Sequence, residues 1–104
     1  MVFVQQVLSD VAAMSIDTVV PLQDSSTILV VDDDVQILEL VARFLRSSGF
    51  TVRTARDGHE MKVSLAESPA DLIVLDLMLP GTNGLDLCRE LRKTSPVPVV
   101  MLTA

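Results

Sequence analysis

From position 27 onward, short unbroken apolar runs alternate with stretches where apolar residues recur every three or four positions. The runs at 28–32 (ILVVD), 71–76 (DLIVLD) and 97–102 (VPVVML) are apolar on successive residues, as strands buried on both faces must be. The stretch at 50–54 predicts another short strand. Between them, Ile37, Leu38, Val41, Phe44 and Leu45 share one face of a helix expected over 34–47, with Asp34 as its N-cap and Gly49 as the glycine that ends it. Asp57 followed by Glu60 predicts a capping box opening a helix that runs to about Glu67 and stops before Pro69. A helix over 84–93 should turn Leu85, Leu87, Cys88 and Leu91 mostly inward. The order β-α-β-α-β-α-β predicts an α/β fold, a mainly parallel sheet with helices on both faces and right-handed connections.

Residues 1–26 follow a different pattern. They hold Asp10, Asp17 and Asp24 but no Lys or Arg, and Pro21 interrupts an irregular stretch. This segment reads as an N-terminal extension or linker ahead of a domain at 27–104. Val4, Val7, Leu8 and Val11 recur at helical spacing, so a short amphipathic helix over 2–14 is compatible with it.

Composition narrows the function classes. The chain has 104 residues, 49% of them hydrophobic, which suits one globular domain. Only 3% are aromatic, so Val, Leu, Ile, Ala and Met must build the core. A formal net charge of −6 argues against nucleic-acid binding by this segment. No apolar run approaches the roughly 20 residues that span a bilayer, and a cytoplasmic protein without membrane contact is expected. Cys88 is the single cysteine and excludes an intrachain disulfide.

The chemistry gathers where the strands end. In open parallel sheets, ligands bind beyond the carboxyl ends of the strands. The first strand runs into Asp32, Asp33 and Asp34, the third ends at Asp76, and the fourth reaches Thr103. One acid at a strand end is commonly a turn or cap residue, the role expected of Asp34. Acids ending two neighbouring strands are a different matter. They repel, and a hard divalent cation relieves that repulsion. Oxygen-only donors suit Mg2+ together with a phosphoryl group better than Zn2+.

The runs ILVVDDD (28–34), DLIVLDLMLPGTNGLDLC (71–88) and VPVVMLTA (97–104) resemble the receiver domains of two-component response regulators, most closely the OmpR-like ones. The resemblance implies a flavodoxin-like doubly wound sheet, with order 2-1-3-4 as far as this chain extends. It implies that Asp76 is the phospho-acceptor and Asp33 a direct Mg2+ ligand. Asp32 would be its partner, and the backbone carbonyl of Met78 a further metal ligand alongside Asp76. Thr103 would be the hydroxyl that turns toward the phosphoryl group, and Ala104 the small residue beside it. Pro80 and Gly84 would shape the turn. A sensor histidine kinase would be the phosphoryl donor, and turnover catalysis is not expected.

A full receiver continues past the position of Ala104 with a helix, a fifth strand bearing a lysine and an aromatic at its ends, and a last helix. The domain is therefore expected to be incomplete at its C-terminus. A bare strip of sheet beside the first helix and an open fourth strand should follow, and with them self-association through the uncovered sheet. A competing reading is a phosphorylation-incompetent fragment that acts only in protein interaction; a hydrolase with an Asp nucleophile is a third. His59 and the arginines Arg43, Arg46, Arg53 and Arg56 read as surface residues. Cys88, Met61 and Met101 read as packing residues.

Overall fold

A computed structural model of the protein describes residues 26–102. The helix expected over 2–14, Thr103 and Ala104 lie outside the described residues.

Four strands and three helices alternate among the described residues: β1 Thr27–Val31, α1 Val35–Ser47, β2 Thr51–Ala55, α2 Gly58–Glu67, β3 Leu72–Asp76, α3 Gly84–Arg92 and β4 Val99–Leu102. All pairings are parallel, and the order is β2-β1-β3-β4. The expected topology is met.

Period-two alternation divides the strands between two cores. Ile28, Val30, Leu72 and Val74 join Leu38, Val41 and Leu45 on the α1 side. Leu29, Val31, Ile73 and Leu75 join Met61 of α2 and Leu87 of α3 on the other. β1 is therefore apolar from Ile28 to Val31 and β3 from Leu72 to Leu75, because each face of the sheet packs into a core.

The helix ends follow local chemistry. The Asp34 carboxylate accepts from the N–H groups of Gln36 and Ile37. Gly49 ends α1 at φ 98°, a conformation most residues avoid, and donates to Arg46. Asp57 caps α2 by accepting from Glu60 N–H at 2.8 Å. The reciprocal half of the capping box differs from expectation, since the Glu60 carboxylate accepts from Arg56 N–H rather than from the cap residue. α2 stops with Ser68 as its C-cap, immediately before Pro69.

Other expectations need correction. β2 begins at Thr51, because Phe50 still donates to Leu45 at the end of α1. β4 begins at Val99: Pro98 has no N–H to donate and only its carbonyl joins the ladder, accepting from Ile73. Leu85 and Phe44 are exposed rather than inward, at 46% and 38%. Arg53 is no free surface charge. It is half-buried, and its guanidinium donates to the carbonyls of Ser64, Ser68 and Pro69. On the α1 side, Leu72 and Val74 of β3 are 0% and 1% exposed, while Val100 of β4 is half-buried. Met61 is buried, Met101 and Cys88 pack partly buried in the second core, and His59 is exposed, all as expected.

Candidate functional site

The parallel register decides what meets at the carboxyl ends of the strands. Val31 pairs with Leu75, so the next residues, Asp32 and Asp76, emerge at the same level from adjacent strands. Asp76 pairs in turn with Leu102, the last described residue of β4. Asp32, Asp33 and Asp76 each bring a carboxylate oxygen into one group, all within 4.8 Å of one another.

Each carboxylate has a distinct environment. Asp32 is 4% exposed, and its Oδ1 accepts from Asp34 N–H at 2.9 Å. Asp33 is exposed and Asp76 half-buried, with Asp76 Oδ1 accepting from Met78 N–H at 2.9 Å. Among the described residues no ion pair involves any of the three. Burial pushes the Asp32 carboxyl up to about 6; the Asp34 N–H opposes this, and the charges of Asp76, Asp33 and Asp34 add to it. The cluster is thus short of positive charge at neutral pH.

A donor set of carboxylate oxygens alone, unpaired with Lys or Arg, suits a hard cation such as Mg2+. The three acids therefore fit a magnesium site chemically.

The loop after β3 is held tightly against this cluster. Leu77 donates to Leu102, and Gly84 donates back to Leu77. A Cβ at Gly84 would lie 2.8 Å from the Asp76 carbonyl oxygen and 2.8 Å from Leu77 Cα, so α3 can start here only with glycine. Asn83 caps α3 by accepting from Leu85 N–H. Leu79 is 5% exposed and plugs the loop into the second core. Sequence reading passed over Leu79. Its signal was a leucine between Met78 and Pro80, where a solvated loop would be polar. Met78 is 72% exposed, so its backbone rather than its side chain is the part near the acids.

Of the sequence-derived residues, Asp32, Asp33 and Asp76 are brought together, and Met78 adjoins Asp76 through its backbone N–H; Thr103 lies outside the described residues.

Comparison with known proteins follows the same lines. Residues 28–104 match the profile of the response regulator receiver domain. The DNA-binding response regulator MtrA of Mycobacterium tuberculosis is 51% identical over 77 residues, which is 74% of this chain and 34% of that protein. This chain thus spans about a third of the length of the curated relatives it matches. Among solved structures, response regulator TrrA of Thermotoga maritima, in complex with Mg2+ and BeF, has a TM-score of 0.71 at 36% identity, covering 76% of this chain and 70% of that one. The BeF3-activated receiver domain of RstA from Klebsiella pneumoniae gives 0.70 at 36% identity, covering 74% and 66%.

Proposed function

Because the chain belongs to the response regulator receiver domain family, a family of phosphoacceptor modules in two-component signalling, we propose that Asp76 is its phosphoryl acceptor, with Asp32, Asp33 and the Met78 carbonyl holding Mg2+ beside it. The observation that carries this reading is the meeting of three carboxylates from two adjacent strand ends, with no Lys or Arg paired to them among the described residues.

The roles follow from environment. Asp76, half-buried at the end of β3, presents one oxygen for attack while Met78 N–H holds the other. That oxygen attacks the phosphorus of a phosphohistidine on a sensor kinase. The P–O bond to Asp76 forms as the P–N bond breaks, and the imidazole leaves with the electron pair and takes up a proton. Asp33, exposed, would offer its carboxylate to the metal directly. Asp32 is fixed by Asp34 N–H and contributes charge from within the protein. Mg2+ would supply charge neutralisation for the transferring group. Thr103, next along the chain after β4, is assigned the hydroxyl that donates to a phosphoryl oxygen. The Mg2+ in the TrrA complex supports the same choice of metal here. DNA binding, part of MtrA's name, is not assigned to this segment.

The test uses the purified chain, Mg2+ and acetyl phosphate, with intact mass as readout. The wild type gains one phosphoryl group, and Asp76→Asn does not. A wild type that stays unmodified yet still binds a sensor kinase would replace this reading with that of an interaction fragment.

A further inference from the structure

β2 is an outer strand of the described sheet, so one side of its backbone faces no other described strand. The register settles which groups lie on that side. Thr51 N–H donates to Ser26, and the Ala55 carbonyl accepts from Asp32 N–H, so Thr51, Arg53 and Ala55 turn their N–H and C=O groups toward β1. Val52 and Thr54 therefore turn theirs outward. Such a row of outward donors and acceptors is a template for a further strand. At Val52 the template is already occupied. Arg46 Nη2 donates to the Val52 carbonyl oxygen at 3.0 Å, the distance at which a backbone nitrogen of an added strand would stand. The placement comes from the short connection between α1 and β2. Arg46 lies in the last turn of α1; Gly49 N–H donates to its carbonyl at 3.0 Å, and Phe50 N–H donates to Leu45. Arg46 and Thr54 also line one groove of about 330 Å³, so guanidinium and strand edge face the same open space.

We propose that Arg46 is a guard on this edge: its guanidinium holds off a second copy of the chain that would otherwise pair its own β2 against Val52 and Thr54. The occupant follows from the edge itself. Two copies of β2 brought together antiparallel offer each other the same alternating donors and acceptors, as a two-fold contact requires. The strand carries few deterrents of its own. It reads TVRTA, with β-formers and neither proline nor glycine to spoil the edge. Its one charge, on Arg53, is engaged with the carbonyls of Ser64, Ser68 and Pro69 at the end of α2. Arg46 supplies from the neighbouring helix what the strand lacks. It takes the acceptor that an incoming N–H needs, and like charges from the two copies would meet there. An arginine that sequence alone assigns to the surface thus has a specific partner. The proposal does not depend on phosphoryl chemistry, and it concerns the opposite edge of the described sheet from β4.

Sedimentation equilibrium of the full chain tests it. Arg46→Met keeps the aliphatic stem and removes the donors, and should tighten self-association about tenfold or more relative to the wild type. Arg43→Met removes the same charge from an exposed position of α1 and should leave association unchanged. Amide exchange locates the contact. In Arg46→Met the N–H groups of Val52 and Thr54 should exchange more slowly as concentration rises, and in the wild type they should not. An Arg46→Met chain that associates no more than Arg43→Met would overturn the proposal, as would association that leaves those two amides unprotected. A further measurement needs no variant to fold. In the wild type, rotation of the Arg46 guanidinium about its Nε–Cζ bond, read by NMR, should be slower than that of Arg43. Equal rates would also refute the guard.

Discussion

Asp32 is a carboxylate placed where charge is costly, and its burial makes a pH signature. Its folded pKa is about 6 against an ordinary 3.8. Below 3.8 both folded and unfolded chains hold the proton and folding carries no penalty. Between 3.8 and 6 the unfolded chain releases it first, so folded stability falls as pH rises. Above 6 the deficit is complete, at most about 3 kcal/mol. Without metal, Asp32→Asn should therefore match the wild type in urea midpoint at pH 3.5 and exceed it at pH 7. Equal midpoints at pH 7 would mean that the charge is not strained. Gly84 is a second residue whose role is local. A methyl group there meets backbone rather than a movable side chain, so Gly84→Ala should cost about 1–3 kcal/mol by urea unfolding. It should also slow the proposed phosphorylation of Asp76, because the Asp76–Leu77 backbone has to shift. The acids themselves were legible in the sequence, since each ends an apolar run. The raised Asp32 pKa was not, because burial by other elements causes it.

At the level of elements, caps and strand boundaries were readable where the determinant is adjacent in the chain. Asp34, Asp57, Gly49 and Pro69 all act within a few residues of the helix end they control. Arg53 escaped notice because its partners lie 11 to 16 residues away, on the far end of α2. It tethers the last turn of that helix to β2 through three carbonyls, while its buried Nε finds no partner among the described residues. Arg53→Met keeps the aliphatic stem and removes the donors. It should destabilise by about 1–2 kcal/mol, with hydrogen exchange rising first in the last turn of α2. An unchanged exchange pattern would reduce Arg53 to a packing residue. The shift of β4 to begin at Val99 has a similar origin: proline removes a donor, and whether that donor is needed depends on the neighbouring strand.

For the molecule as a whole, the site and the fold are linked. Three carboxylates gathered at a sheet end disfavour the folded state until a cation joins them, so a ligand that binds only the folded chain stabilises all of it. Millimolar Mg2+ should raise the thermal midpoint of the wild type at pH 7, and chelation should reverse the gain. Asp33→Asn should lose most of the response; an equal Mg2+ shift in that variant would place the ion elsewhere. The pattern of apolar runs determined by itself the number and order of the elements, the parallel sheet and the acids that end its strands, because burial on two faces imposes an unbroken apolar signature on a strand. Tertiary structure alone decided that Val31 and Leu75 stand in register and so bring Asp32 level with Asp76, and that Gly84 has no room for a methyl group. Those outcomes depend on distances between segments far apart in the chain, and no local pattern of residues encodes a distance.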